Sequence, residues 1–305
     1  MNQEVYHIPA LLSESLEALQ IKPDGIYVDA TYGGGGHSRA IVECLGEKGH
    51  LYGFDQDEDA VERAIADPRF TMVYGNFRFL HNFLRFYKVG SVDGILADLG
   101  VSFHHFDDAE RGFSFRADSR LDMRMNRHAR LSAVDVLNTY SEERLADIFY
   151  LYGEFSKARQ LARAIVKARN NGQIDTVNRL LDVASAFVDK RHEKKDLACI
   201  FQALRIEVNG ELDALRSFLN QAAKELSPGG RLAIITYHSL EDRLVKNFMR
   251  TGNCEGTVES NIYGHSNSML KPLRSKPTTA SEEEVARNPR SRSAKLRVAE
   301  KINQQ

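Results

Sequence analysis

Three aspartates, Asp29, Asp55 and Asp98, each close a short apolar run, and four consecutive glycines, Gly33 to Gly36, stand between the first two. An acid at the end of a predicted strand can accept hydrogen bonds from a ligand or balance its positive charge. The stretch Tyr27-Val-Asp-Ala-Thr-Tyr-Gly-Gly-Gly-Gly-His-Ser38 reads as strand, acid, glycine loop and helix start. That is the first βα turn of a nucleotide-type α/β domain. Glycine turns the backbone tightly and lets a ligand lie against it without a Cβ clash. Ligands of open parallel sheets bind outside the carboxyl ends of the strands, near the switch in strand order.

Which ligand follows from the details. Gly33 and Gly35 fit the start of a dinucleotide fingerprint, but Ser38 occupies its third glycine position. A pyrophosphate wants bare helix amides and positive charge, and Asp29 would repel it. A ligand carrying an ammonium and a sulfonium would tolerate that acid, which favours S-adenosylmethionine over NAD. Asp55 ends the second predicted strand, roughly 20 residues past the glycines, where a ribose diol is held. Phe77, just after the third predicted strand, either covers one side of an adenine or is a core residue opening the next helix.

The elements that must position these residues are legible as hydrophobic runs. Strands are predicted at Ile26–Val28, Leu51–Phe54, Phe70–Tyr74, Val92–Ala97 and Arg231–Tyr237, with a closing strand at Ala294–Ala299. Helices are expected over Pro9–Leu19 and Ser38–Leu45 and from Asp57 through Ile65, with Asp57–Asp59 as a solvated first turn. Ser227-Pro-Gly-Gly230 reads as a turn. The βαβα rhythm gives a parallel, doubly wound sheet. The rhythm breaks after Asp98-Leu-Gly-Val-Ser102. Arg111-Gly-Phe113-Ser-Phe-Arg116 then mixes cations with aromatics, the composition that stacks bases and neutralises phosphates. Residues 132–189 read as helices, with Ser141 and Thr176 as N-caps. Lys157, Arg159, Arg163, Lys167 and Arg169 give one helix a basic face, open to RNA or simply to solvent. Two further helices, Leu197–Val208 and Leu212–Leu226, lead back to the sheet.

The charge is lopsided although the net is only −1. Residues 1–110 carry −10, and the remainder carries +9. Such asymmetry points the second part at a polyanion, or describes two solvated faces. The basic tail residues Arg287, Arg290, Arg292, Lys295 and Arg297 add to the first reading. At 42% hydrophobic and 27% charged residues, the composition is that of a globular protein. No apolar run approaches the ~20 residues of a membrane span, so no membrane partner is expected. The start Met1-Asn-Gln-Glu4 lacks the parts of a signal peptide. Cys44, Cys199 and Cys254 read as reduced structural thiols of a cytoplasmic protein.

Six motifs now stand in order: Asp29-Ala-Thr-Tyr-Gly-Gly-Gly-Gly-His-Ser, Asp98-Leu-Gly-Val-Ser, Glu110-Arg-Gly-Phe-Ser-Phe-Arg, Leu121-Asp-Met-Arg-Met, His238-Ser-Leu-Glu-Asp-Arg and Asn288-Pro-Arg-Ser-Arg-Ser. With them, and from His7 to Glu300, the chain resembles the bacterial RsmH (MraW) family. These enzymes use S-adenosylmethionine to methylate N4 of a cytidine (cytidine 1402) in the decoding region of 16S rRNA. The resemblance implies a class I, Rossmann-like methyltransferase sheet formed by 1–108 and 197–305. It also implies an inserted all-α substrate-recognition domain at 109–196. Cofactor contacts are implied at Gly35, Gly36, His37, Asp55, Phe77 and Asp98. His105 stands where the family usually has a further contact, a Gln, and one imidazole hydrogen bond cannot replace the amide's pair. The family's usual Phe before His-Ser-Leu is Tyr237 here, which reads as a mild change. The implied partner is 16S rRNA, within the 30S subunit rather than naked, and the oligomeric state, monomer or homodimer, stays open.

Methyl transfer is an in-line displacement whose thioether leaving group needs no acid. The enzyme's task is to position donor and acceptor, which can supply ~7–11 kcal/mol. A cytosine amine is a poor nucleophile and needs acceptors that hold its N–H groups. Asp98, with Ser102 nearby, is the candidate for that role, or Asp98 serves the adenosyl side. His238 and Ser239 could line the same crevice, with a helix-capping role for Ser239 as the alternative. Arg111, Phe113, Arg116, Arg163 and Lys167 are the RNA-contact candidates. His104, His105, Asp107 and Asp108 match no zinc spacing, and no metal is expected. An NAD-dependent oxidoreductase is disfavoured by Ser38 and Asp29. An inactive RNA-binding module is disfavoured by the intact glycine turn and Asp98.

Overall fold

Eight strands build the sheet of the computed structural model, which describes residues 9–100, 111–258 and 268–303. They are β1 (Ile26–Asp29), β2 (His50–Asp55), β3 (Phe70–Tyr74), β4 (Val92–Asp98), β5 (Leu226–Thr236), β6 (Leu270–Pro272), β7 (Thr278–Thr279) and β8 (Lys295–Lys301). The order is β3-β2-β1-β4-β5-β8-β6, with β7 also on β8. The first five strands pair in parallel, and β8 pairs antiparallel with β5, β6 and β7. The chain runs outward from β1 to β3 and then restarts on the other side at β4. The switch in strand order therefore lies between β1 and β4.

The central strands are apolar because both faces are covered. Along β4, Ile95 and Ala97 enter one core with Val28, Phe54 and Ile234. Leu96 enters the other with Tyr27, Leu51, Ala233 and Ile235. Successive residues point to opposite faces, so one strand serves two cores. Each large side chain buried this way contributes roughly 1.5–3 kcal/mol. Ser227–Gly230 is not a turn between elements. Leu226 pairs with Val92 and Arg231 with Gly94, so four residues bulge out of β5 opposite Asp93. Gly229, at φ 77°, supplies the left-handed backbone the bulge needs. The helix expected from Asp57 to Ile65 shrinks to Glu58–Val61, and Asp57 is its buried N-cap rather than a solvated residue.

The chain folds as two compact units, one made of Met1–Gly100 with Leu212–Gln305, the other of Val101–Glu211. The second unit is wider than the 109–196 interval. The reason is the helix Glu193–Asn209, whose Leu197, Ile200, Phe201, Leu204 and Val208 join the core of that unit. Ser141 and Thr176 cap their helices as expected, the first at Glu142–Leu151, by accepting from Arg144 and Arg179 N–H. Leu121, Met123 and Met125 alternate into the same core, while Asp122 and Arg124 between them pair with each other. Asn209 closes this strip through Met125 N–H and Met123 C=O, both at 2.8 Å.

Candidate active site

Asp29, Asp55 and Asp98 are each the last residue of their strand, so the parallel register brings all three acids to one edge of the sheet. Between them runs the glycine turn, followed by the helix Gly36–Cys44. Gly35 has φ 75°, and a Cβ there would lie 2.5 Å from the Tyr32 hydroxyl. Another residue there would be strained in its dihedral and would push the Tyr32 ring aside. The first hydrogen bond of the helix runs from Arg39 N–H to Gly35 C=O. The amides of Gly36, His37 and Ser38 thus precede the ladder and face the crevice end of the helix.

Asp29 is buried and satisfied internally. Its carboxylate accepts from the Ser38 hydroxyl at 2.6 Å and from Thr31 N–H at 3.1 Å. Ser38, at the position a dinucleotide fold gives to glycine, therefore ties the helix to the end of β1. Burial pushes Asp29 up to about 6, against those two donors. Asp55 is half-buried. It accepts from Gly33 N–H at 2.8 Å and from Asp57 N–H at 2.9 Å, fixing the glycine turn to the end of β2. Beside it, the Asn76 side-chain amide donates to Gln56 at 2.8 Å, joining the loops after β2 and β3. Phe77 follows, half-buried, its ring edge-on to Phe218 at 5.2 Å.

Asp98 stands at the switch point. Its Oδ1 accepts from the Tyr237 hydroxyl at 2.8 Å, and its backbone N–H donates to Thr31 Oγ1 at 2.6 Å. Oδ2 lies 3.8 Å from His37 Nδ1, and the side chain keeps 22% of its surface. The carboxyl is deep among protein atoms and open on one side. Burial pushes it up to about 7, the nearby charges of Asp29 and Glu241 add to this, and the Tyr237 hydrogen bond opposes it. His37 Nε2 lies 3.1 Å from Ala10 C=O, which can only accept, so Nε2 carries the proton. Burial pushes the ring down to about 4, so it is neutral.

The strand-end pair His238-Ser239 is corrected in part. The N-cap of the helix Ser239–Thr251 is His238, not Ser239: His238 Nδ1 accepts from Glu241 N–H at 3.4 Å. Glu241 Oε2 reciprocates by accepting from His238 N–H at 3.4 Å, and it also accepts from Tyr237 N–H at 2.9 Å. The Nε2 of His238 lies 3.1 Å from Glu241 Oε1 without hydrogen-bond alignment. His238 is thus a capping residue, and the strand end presents Tyr237 to Asp98. Sequence reasoning read Tyr237 as a mild change and missed its contact with Asp98; its place one residue past β5, beside β4, was the available signal.

Among the RNA-contact candidates, Arg111 and Phe113 are corrected as well. Both are only 5% exposed. Arg111 donates to the carbonyls of Arg124 and Met125 at 2.7 and 2.8 Å and lies 5.8 Å from the Phe113 ring. They hold the unit's core together, since a buried guanidinium needs such acceptors. Arg116, Arg163 and Lys167 are exposed. Arg169 turns inward to the carbonyls of Leu137 and Tyr140, and Arg297 forks onto Asp242 at 2.6 and 3.1 Å. Both therefore leave the basic surfaces assigned to them. Ser102 and His105 lie outside the described residues.

The strand order, the antiparallel strand beyond β5 and the acids at the tips of β1, β2 and β4 define a Rossmann-like methyltransferase sheet. The chain belongs to the MraW methylase family, which matches residues 4–302. It is 58% identical over 299 residues to the ribosomal RNA small subunit methyltransferase H of Bacteroides fragilis, covering 98% of both chains. To the protein of that name from Porphyromonas gingivalis it is 56% identical over 305 residues, again 98% of both. An rRNA methylase structure from Streptococcus thermophilus aligns over 99% of both chains at 13% identity and a TM-score of 0.39, too distant to inform this site.

Proposed function

We propose that this protein methylates N4 of a cytidine in the decoding region of 16S rRNA, using S-adenosylmethionine. The observation that carries the reading is Asp98: an acceptor at the switch point of a methylase-family sheet, one oxygen held by Tyr237 and the side chain still 22% exposed. The site's donors and acceptors suit the cofactor. In this reading Asp55 takes the ribose diol, the amides of Gly36 and His37 take the carboxylate, and half-buried Phe77 covers the base; Asp55 at the tip of β2 and those amides at the start of the helix after the glycine turn support it. When bound, the cofactor supplies an electrophilic methyl on a sulfonium.

The chain's own residues do the rest. As a carboxylate, Asp98 accepts an N–H of the cytosine amine and turns the nitrogen lone pair away from the ring and toward the methyl. A preorganised contact of this kind is typically worth 10²–10³ in rate, about 3–4 kcal/mol. Protonated, Asp98 cannot do this, so activity should rise through a midpoint near its value of about 7. Exposed Arg116, Arg163 and Lys167 supply positive charge for the RNA backbone. The substrate is read as the assembled 30S subunit, on the resemblance.

The test is to incubate the protein with tritiated S-adenosylmethionine and undermethylated small subunits, with naked 16S rRNA in parallel. Label on one cytidine N4, mapped by mass spectrometry, is the expected result. Label on another base, or none, overturns the reading.

A further inference from the structure

We propose that Tyr237 is a positioning residue for methyl transfer: its hydroxyl locks one oxygen of Asp98 and leaves the other for the acceptor amine. The inference rests on the methyltransferase reading above and deepens it at one atom. Tyr237 is pinned at both ends. Its backbone N–H donates to Glu241 Oε2 at 2.9 Å, and its hydroxyl donates to Asp98 Oδ1 at 2.8 Å. The ring runs beside Gly100, where an added Cβ would come within 3.4 Å of it. A phenylalanine would fill the same place but leave the carboxylate free to rotate. The sequence alone made this a mild change; the geometry makes it a change in what holds the reactive acid.

The groups facing Asp98 come from four elements. Tyr237 follows β5, Asp29 ends β1, neutral His37 lies on the helix after the glycine turn, and Glu241 lies in the first turn of Ser239–Thr251. Thr31 accepts from the Asp98 backbone N–H. Tyr237 itself also feels Glu284. Burial and the Asp98 charge push the phenol far above its ordinary value, so it stays a neutral donor. Among these groups Tyr237 is the one whose hydrogen bond favours the charged carboxylate, against burial and the charges of Asp29 and Glu241. Removing it should therefore raise the pH at which Asp98 gives up its proton.

The experiment compares the protein with Tyr237→Phe in single-turnover methylation of undermethylated small subunits from pH 6 to 9, at saturating S-adenosylmethionine. The acid limb of the rate profile should move up by about one pH unit. The rate at pH 7 should fall severalfold, to at most roughly tenfold, and recover by pH 9. Affinity for S-adenosylhomocysteine should stay close to that of the parent, and the melting temperature should fall by no more than the few degrees that the shifted Asp98 midpoint itself implies above pH 7. In an Asp98→Asn background, Tyr237→Phe should cause no additional loss. Placing 3-fluorotyrosine at position 237 keeps the ring, strengthens the donor and should move the limb the other way. An unmoved limb, or a loss equal at every pH, overturns the proposal. A carboxyl-carbon NMR titration of Asp98, run without RNA, separates this from failure of the functional reading. If the parent methylates nothing, the functional reading has failed, while the NMR midpoint still tests the hold of Tyr237. An Asp98 midpoint equal in parent and Tyr237→Phe ends the proposal whatever the activity.

Discussion

Asp29→Asn should stabilise the protein at neutral pH while leaving its backbone in place. Asp29 is 1% exposed, and burial lifts its carboxyl from 3.8 to about 6. Two pH units at 1.36 kcal/mol each mean that keeping this group ionised when folded costs about 3 kcal/mol at pH 8. Asparagine keeps a carbonyl acceptor for Thr31 N–H and presents an amide donor to Ser38 Oγ, replacing the 2.6 Å bond with a weaker neutral one. Allowing roughly 1 kcal/mol for that loss leaves a gain on the order of 2 kcal/mol. For a unit of this size the gain corresponds to a rise of about 4–8 °C in Tm. The sign follows from linkage. The folded value lies above the unfolded one, so the contribution of Asp29 to stability is intact below pH 4 and lost as pH rises through 6. The advantage of the variant is therefore full above about pH 7, smaller at pH 5, and gone near pH 4. Urea unfolding of both proteins at pH 5, 6, 7 and 8 measures it. A variant less stable than its parent at pH 8, or an advantage constant across the range, would refute the reasoning. The charge of Asp29 also raises Asp98, so the same variant should shift the activity midpoint downward.

Three other outcomes are expected. Asp55→Ala should weaken S-adenosylhomocysteine binding about tenfold to a hundredfold, because it removes a diol acceptor and frees Gly33 N–H; calorimetry showing an unchanged Kd in a folded variant removes Asp55 from the site. Asp98→Asn should bind cofactor almost normally while its single-turnover rate drops roughly 10²-fold or more; a collapse in affinity that saturating cofactor repairs would instead place Asp98 on the cofactor side. Arg163→Glu combined with Lys167→Glu should weaken binding of small subunits and flatten its salt dependence without touching cofactor affinity; if both stay at parental values, that face of the helix is only solvated.

Much of the sheet was legible because its physics is local. A strand covered on both faces must be apolar throughout, and Gly94–Ala97 has no other reading. The acids at strand tips were legible for the same reason, since a charge can stand only where the buried run ends. Burial outside the sheet was not. Arg111 and Phe113 have the composition of an RNA-stacking loop, yet two carbonyls thirteen and fourteen residues away turn the guanidinium inward. Charge counts cannot see such acceptors. Arg169 and Arg297 miscount in the same way, one consumed by helix-end carbonyls and the other by Asp242. The Ser227–Gly230 bulge was hidden because its residues are those of an ordinary turn; only the pairing of Leu226 with Val92 shows that the strand has already begun.

The motif after β5 shows how far type and spacing reach. In His238-Ser-Leu-Glu-Asp-Arg the histidine invites a catalytic role, but the structure spends its residues on orientation. His238 and Glu241 cap the helix reciprocally, and Asp242 receives Arg297 of β8, fixing the helix to the antiparallel edge. Glu241 also holds Tyr237 N–H, so the motif sets the angle at which the chain leaves β5. That angle puts the Tyr237 hydroxyl on Asp98, one strand away. Tyr237 stands just outside the motif and is chemically the plainest residue of the stretch, yet it is the one that touches Asp98. Parallel register makes this so: Ile235 opposite Asp98 fixes which residue beyond β5 can reach the tip of β4.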